Sequence, residues 1–205
     1  MTIRERYDEE GYLISFGPYR WWHRPQLDTF PPPSETAQLV RLHTLNLSYA
    51  PVCQLSTEIG QLTQLRALYL RHTLIRSLPS EIGQLARLRE LSLVGTPLST
   101  LPAEIGRLQS LHGLFLRRSL LEALPPEIGQ LAHLQVLDLS YTPLRHLPPE
   151  IGALVNLRVL CLQGLSLRSF PKELQQLPHL HTLDLTDTSC PDGLPALLRR
   201  KHPAT

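Results

Sequence analysis

The sequence predicts an α/β solenoid with a parallel β-sheet on its concave side and short helical or 3-10 turns on its convex side. The main observation is the hexamer Leu-x-x-Leu-x-Leu, which recurs seven times at a constant spacing of 23 residues, from Leu42 to Leu185. A fixed period of about 20 to 50 residues is typical of stacked units that cannot bury their apolar side chains alone. All 21 leucine slots of these hexamers hold leucine, so stacking the units would build one continuous core.

The hexamer predicts a short strand when each unit is numbered from its first leucine as position 1. Positions 4 and 6 alternate with positions 3, 5 and 7, which is the periodicity of a strand with one buried side. The side chains at positions 3, 5, 7 and 8 are therefore expected to line the concave face. Positions 11 and 14 hold further apolar residues, such as Ile75 and Leu78 in the second unit.

A proline, a glutamate and a glycine predict the short turn on the convex side. Proline stands at position 15 in five units, where its fixed φ suits the entry to a helical turn. Glutamate follows at position 17 in six units, and a carboxylate stabilises the start of a helix. We therefore interpret these glutamates as structural rather than catalytic. Glycine at position 19 in five units predicts a tight turn or close contact between neighbouring units.

The segment Leu-Pro-x-Glu-Ile-Gly-x-Leu resembles the leucine-rich repeat family. It is most similar to the 23-residue type found in Ras-associated intracellular and many bacterial leucine-rich repeat proteins, and the similarity covers about residues 42 to 200. The resemblance implies a right-handed, curved solenoid that binds protein partners on its concave face.

Position 9 departs from this family, in which asparagine usually forms a ladder of hydrogen bonds to the backbone. Here the slot holds threonine in four units, serine in one, and Ala50 and Leu165 in the other two. A hydroxyl donates one proton, whereas an asparagine amide donates two. The expectation is a regular ladder across the middle units and a local irregularity, or a water, in the sixth unit.

The chain divides into three segments on these patterns. Residues 1–41 lack the motif and hold seven of the twelve aromatic residues, and they are expected to form an N-terminal cap with a hairpin about Gly17 and Pro18. A ligand site around Trp21 and Trp22 is the alternative. Residues 42–190 form the seven repeats, and residues 191–205 are expected to form a capping helix and tail, with a basic recognition tail as the alternative.

The candidate partner-binding residues lie at positions 5, 7 and 8 of the predicted concave face. Aromatic and arginine side chains are common anchors of interfaces and concentrate in the first half of the solenoid, whereas aspartates concentrate in the second half. Phe115 is expected to be exposed, which favours a binding role. The candidates are Tyr69, Arg71, His72, Phe115, Arg117, Arg118, Asp138, Tyr141, Asp184 and Asp187.

No combination of residues in the sequence indicates an enzyme, a metal site or a cofactor. His43, His112 and His181 share position 2 but lie three turns apart, about 14 Å, which is too far for a shared metal ion. Cys161 would lie between Asp138 and Asp184, and neighbouring negative charge raises the pKa of a thiol. It is therefore expected to be a passive thiol.

Composition and charge favour a monomeric cytoplasmic protein without nucleic-acid or membrane partners. The net charge is only +2, and the N-terminal residues contain no apolar segment typical of a signal peptide. The three cysteines are scattered, which favours a reducing compartment. A translocated effector without a cleavable signal is the alternative location.

Three functions are compatible with the sequence. The first is a non-enzymatic scaffold that binds an acidic or mixed-charge protein surface on its concave face, with a role in signal transduction. The second is a substrate-recognition subunit, or an effector-type adaptor, for an enzyme carried on another chain. The third is binding of a nucleic acid or another anionic ligand through the concave arginines.

Overall fold

The computed structural model describes residues 6–7, 13–16, 28–30 and 39–189, the first two ranges as backbone only. Eleven short strands are present in these ranges, and seven of them begin two residues after the first leucine of a hexamer. The strands are β1 Arg6–Tyr7, β2 Leu13–Phe16, β3 Thr29–Phe30, β4 Thr44–Asn46, β5 Gln54–Leu55, β6 Ala67–Tyr69, β7 Glu90–Ser92, β8 Gly113–Phe115, β9 Val136–Asp138, β10 Val159–Cys161 and β11 Thr182–Asp184.

The strands of the repeats form one parallel sheet, as the sequence predicts. The sheet has nine strands in the order β1-β2-β4-β6-β7-β8-β9-β10-β11, and a separate pair joins β3 to β5. Equivalent positions of neighbouring units face each other, so that Leu114 pairs with Leu91 and Leu137. Position 4 is fully buried throughout the middle units, whereas position 5 is usually half-buried. The concave face is therefore built from columns of side chains at the same repeat position.

Six 3-10 helices stack on the convex side, one for each of the first six units. Five of them start immediately after a proline at the cap position, and all six carry a glutamate in the first turn. The helices are Thr57–Gln61, Ser80–Gln84, Ala103–Arg107, Pro126–Gln130, Pro149–Ala153 and Lys172–Gln176. The predicted role of the proline and the glutamate at the start of a helical turn is thus confirmed.

The position 19 glycines allow neighbouring convex turns to pack closely. A Cβ on Gly129 would lie 2.6 Å from the carbonyl oxygen of Glu150 in the next unit. A Cβ on Gly152 would lie 2.6 Å from the Cβ of Glu173. The sixth unit holds Gln175 at this position, and no further 3-10 helix follows within residues 39–189. Glycine is therefore present where another described turn packs against it.

The side chains at position 9 form hydrogen bonds within three of the units rather than a continuous ladder. The hydroxyls of Thr73, Thr96 and Thr142 donate to the carbonyl oxygen three residues earlier, at 2.8–2.9 Å. The predicted single bond per threonine is confirmed in these units. The expected regularity across the middle is wrong at Ser119, because its hydroxyl is buried and has no hydrogen-bond partner among the described residues. Serine lacks the second branch that fixes the threonine rotamer.

The sixth unit lacks a hydroxyl at position 9, but the carbonyl oxygen of Leu162, three residues earlier, accepts a hydroxyl of the seventh unit. The Leu162 carbonyl oxygen accepts the N–H of Leu165 at 3.3 Å and the hydroxyl of Thr188 at 2.6 Å, so the leucine at position 9 does not leave that oxygen unpaired. The irregularity of this unit lies elsewhere. Leu177 ends the last 3-10 helix in an extended conformation with ψ of 108°, whereas the equivalent residues have ψ of 51–70°. Pro178 follows it, and a residue before proline is driven out of the helical region.

The unpaired hydroxyl of Ser119 leads to a testable difference between two equivalent positions. We expect Ser119→Ala to leave the free energy of unfolding unchanged or to raise it by up to about 1 kcal/mol, because no hydrogen bond is lost. Thr96→Ala should lower it by about 1–2 kcal/mol, since its bond to the Leu93 carbonyl oxygen is lost and a methyl group is removed. Urea unfolding monitored by circular dichroism measures both. A greater loss for Ser119→Ala than for Thr96→Ala would contradict this interpretation.

The N-terminal segment extends the sheet of the repeats. Strand β2 pairs in parallel with β4 and antiparallel with β1. Phe30 is fully buried in the same core as the leucines. Strand β2 matches the first strand of the predicted hairpin about Gly17 and Pro18, but the second strand, the Trp21–Trp22 pair, Cys190 and the predicted terminal helix lie outside the described residues. Within the described ranges, the chain contains no helix of the length and apolarity that a membrane crossing requires.

Candidate functional site

Position 8 combines a left-handed backbone with side chains that stack from one unit to the next. All seven residues at this position have φ between 54° and 70°, and only two of them are glycine. The rings of Tyr49 and His72 are stacked, with centroids 4.9 Å apart. A Cβ on Gly95 would lie only 2.5 Å from the His72 ring. The glycine thus allows the imidazole to lie flat against the next turn.

A second stack of the same form includes two arginines of the fourth unit. The guanidinium carbons of Arg117 and Arg118 lie 4.9 Å and 5.5 Å from the centroid of the Tyr141 ring. The ring in turn lies against Gly164, where a Cβ would approach it to 2.5 Å. The Tyr141 ring therefore lies between two guanidinium groups and the backbone of Gly164 in the next unit. The arrangement orders two arginines and one tyrosine on an open surface.

Tyr69 and Phe115 pack along the sheet rather than into solvent. The Tyr69 hydroxyl donates to Glu90 Oε2 at 2.5 Å, and the pKa of Tyr69 is raised to about 12 by burial and then by this carboxylate. The expectation that Phe115 is exposed is wrong, because the residue is half-buried. A Cβ on Gly113 would lie 2.8 Å from the Phe115 ring. The ring covers this glycine and therefore contributes to packing as well as to the surface.

The aspartates of the second half also stabilise the backbone that follows them. Asp138 Oδ1 accepts the N–H of Ser140 at 3.0 Å. Asp184 Oδ1 accepts the N–H of Thr186 at 3.0 Å and its hydroxyl at 2.7 Å. These bonds lower the pKa of Asp184, and the charge of Arg117 contributes in the same direction. Both carboxylates have a local structural function, and each retains lone pairs for a partner.

Cys161 lies between these two aspartates, as the repeat register predicts. It pairs with Asp138 on one side and Asp184 on the other. The pKa of its thiol is raised to about 11, first by burial and then by the two carboxylates, while Arg117 opposes them. The residue is therefore a neutral thiol at physiological pH, and a nucleophilic role has no support. No cluster of three or more metal-ligating side chains occurs among the residues that the structure describes.

The structure brings together candidate residues of the basic and aromatic first half of the solenoid and of its acidic second half. Arg117 belongs to the basic and aromatic half, yet it lies over Tyr141 and acts on Asp184. Arg71 and His72 are exposed further along the same face, as is Asp187 at the other end. Sequence reasoning missed the stacking at position 8. The signal was present, because glycine follows two larger side chains in each run of three units, as in Tyr49-His72-Gly95.

Two family models match the chain. The model described as "Leucine-rich repeat region" matches residues 33–114, and the model described as "Leucine Rich Repeat" matches residues 133–154. A comparison with curated protein sequences gave no match. The two matched ranges include parts of both stacks at position 8.

Solved structures of several leucine-rich repeat proteins are similar to the chain. A leucine-rich repeat protein of Leptospira interrogans is 39% identical, with a TM-score of 0.77 over 82% of this chain and 42% of its own. A TDR receptor is 28% identical, with a TM-score of 0.69 over 78% of this chain and 29% of its own. TLR13, in a complex with ssRNA13, is 30% identical, with a TM-score of 0.67 over 77% and 23%. The chain thus spans less than half the length of each of these proteins.

Proposed function

The chain belongs to the leucine-rich repeat family, and on this premise we propose that it is a non-enzymatic scaffold that binds a protein partner on its concave face. The Leu-Pro-x-Glu-Ile-Gly-x-Leu segment supports a place among the 23-residue repeats of that family. Members of this fold commonly mediate protein–protein interactions and ligand recognition. The proposal places the binding centre at Arg117, Arg118 and Tyr141, with Phe115 beside them.

The observation that carries the proposal is the pair of arginines over Tyr141. Arg118 and Tyr141 are exposed, and Tyr141 is held between the guanidinium groups and Gly164. Arginine and tyrosine are enriched among the residues that contribute most to interface affinity. Side chains that are already ordered lose less conformational entropy when a partner binds. The cluster therefore has the composition and the order that an interface anchor needs.

The charges of this surface support a partner of acidic or mixed charge. Arg71, Arg117 and Arg118 supply positive charge in the first half of the face, and the aspartates at positions 138, 184 and 187 supply negative charge in the second half. Arginines and aspartates thus lie on one face, and this mixture of charges favours a mixed-charge protein interface over a simple anion site.

The division of the chain into three segments, its oligomeric state and its location are part of the same proposal. Residues 1–41 act as an N-terminal cap, which is supported by the pairing of β2 with β4 and by the burial of Phe30. Residues 42–190 are the repeats, and residues 191–205 are the C-terminal cap. We propose a monomeric cytoplasmic protein with a role in signal transduction. An adaptor for an enzyme on another chain would use the same concave surface.

Removal of the two concave arginines should test the binding centre. We expect Arg117→Ala with Arg118→Ala to reduce recovery of the partner by affinity purification about tenfold or more, because both cations over Tyr141 are lost. The matched control is Arg76→Ala with Arg107→Ala, which removes the same charge from exposed positions outside the concave face. Circular dichroism checks that both variants fold. Equal recovery with the two double variants would contradict the proposed site.

A further inference from the structure

The edge of the solenoid at which the repeat strands begin carries arginines and histidines but no acidic residue at two positions of each unit. Position 23 of each unit and position 2 of the next form this edge. From Arg41 to His181 these two positions hold five arginines, five histidines and no aspartate or glutamate. The chain as a whole is nearly balanced, with 20 basic and 18 acidic side chains. The charge of this edge is therefore a local property that the net charge of +2 conceals.

Three of the arginines on this edge surround one depression. Arg66, Arg87, Arg89 and Ser110 line a cavity of about 220 Å³ that is open to solvent. Arg66 and Arg89 occupy position 2 of neighbouring units, whose strands are about 4.8 Å apart. Arg87 and Ser110 occupy position 23 of neighbouring units. The depression is therefore lined by side chains of two consecutive units, from Arg66 to Ser110.

Backbone hydrogen bonds join the turns that carry the arginines of this depression. The carbonyl oxygen of Arg66 accepts the N–H groups of Arg89 and Glu90 at 2.7 Å and 3.1 Å. The carbonyl oxygen of Arg89 accepts the N–H groups of His112 and Gly113 at 2.8 Å and 3.0 Å. Arg87 Nη1 donates to Gln64 Oε1 at 2.5 Å. The turns that carry the depression are thus joined by hydrogen bonds, and the Arg87 guanidinium is held by Gln64.

Among the residues that the structure describes, no carboxylate lines the depression, so none of them compensates its positive charge there. Glu90 follows Arg89 in the sequence, but its Oε2 accepts the Tyr69 hydroxyl on the concave face. The imidazole of His112 is held beside Ser110, because its Nδ1 lies 2.6 Å from the Ser110 carbonyl oxygen. Three guanidinium groups that lie close together repel each other. An anion with two charges would relieve this repulsion.

We propose that Arg66, Arg87, Arg89 and Ser110 form a binding site for a tetrahedral oxyanion, namely a phosphoryl or sulfuryl group. Guanidinium groups bind such oxygens with paired, charge-assisted hydrogen bonds, and the serine hydroxyl adds a donor. The volume equals roughly seven water molecules at about 30 Å³ each, which is enough for an oxyanion with bridging waters. The site lies on the strand edge, so it is independent of the proposed concave interface.

The test is a titration of the full chain, followed through the arginine Nε–Hε signals in NMR spectra. Inorganic phosphate, inorganic sulfate and phenyl phosphate are added separately, with sodium chloride of equal ionic strength as the reference. We expect saturable shifts with the oxyanions and an affinity about tenfold lower in Arg89→Gln. The matched control is Arg158→Gln, which changes position 2 of the sixth unit, outside the depression, and should keep the wild-type affinity.

The source of the oxyanion follows from the same titration. Tighter binding of phenyl phosphate than of inorganic phosphate would assign the site to a phosphoryl group carried on a larger molecule, and equal binding would assign it to the free ion. Shifts that chloride reproduces, or an equal loss of affinity in Arg89→Gln and Arg158→Gln, would overturn the proposal by showing only a diffuse attraction. Arg66→Gln serves as a second variant if Arg89→Gln does not fold. The concave double variant should bind phosphate normally.

Discussion

Replacing Leu137 with alanine should lower the free energy of unfolding by about 2–5 kcal/mol. The side chain is fully buried in the inner strand β9, and it pairs with Leu114 and Leu160 in the two neighbouring strands. In a repeat protein each unit is stabilised mainly by its neighbours, so a cavity in an inner unit weakens the coupling between the units on its two sides. The midpoint and slope of urea unfolding measure the effect.

The matched control for this substitution is Leu120→Ala. Leu120 is also a leucine of the central units, but its side chain is 56% exposed at position 10. Its truncation should change the free energy of unfolding by no more than about 0.5 kcal/mol. Similar losses for the two variants would show that burial in the leucine columns does not determine the stability of the solenoid.

Replacing Gly129 with alanine should also destabilise the protein, by about 1–3 kcal/mol. In an open helical position this change would be stabilising by about 0.4–1 kcal/mol, because alanine restricts the unfolded chain. Here the new Cβ would lie 2.6 Å from the carbonyl oxygen of Glu150 and 2.9 Å from its Cβ. A backbone atom cannot move away without separating two turns, so the steric cost determines the sign. Thermal unfolding followed by circular dichroism measures it.

The sixth unit provides the control for this second substitution. Gln175 occupies the position equivalent to Gly129, and no described 3-10 helix packs beyond it. Gln175→Ala should therefore leave the unfolding temperature almost unchanged. If Gly129→Ala stabilised the protein instead, the close approach of the convex turns would not be the reason for glycine at this position.

Leu137 and Gly129 belong to the frame of the solenoid, by which we mean the leucines, prolines and glycines that recur in its units. This frame tolerates little change, whereas the exposed side chains that it carries differ from unit to unit. Position 4 is leucine in every unit, but position 5 of the same strands ranges from Tyr69 through Ser92 to Asp184. The frame therefore presents any side chain at a nearly constant spacing. This separation explains how two different surfaces, the concave face and the basic edge, can coexist on one small solenoid.

The sequence alone determined the frame, because the frame depends on local and strictly periodic rules. Alternation of leucine specifies the strands and their buried side, the proline specifies the start of five of the six 3-10 helices, and glycine at position 19 indicates close packing. The sequence also placed Cys161 between Asp138 and Asp184, since a constant period sets the register. Each of these properties depends on residue type and spacing and not on the direction in which a long side chain extends.

Only the tertiary structure decided how side chains of different units contact each other. Phe115 covers Gly113, Arg117 reaches over Tyr141 towards Asp184, and the Ser119 hydroxyl is left without a partner. The depression lined by Arg66, Arg87 and Arg89 also depends on contacts across turns. The period brings these residues within reach of each other, but rotamers, side-chain length and competing hydrogen bonds select the contact. That selection depends on all neighbours at once, so the spacing of residues along the chain does not determine it.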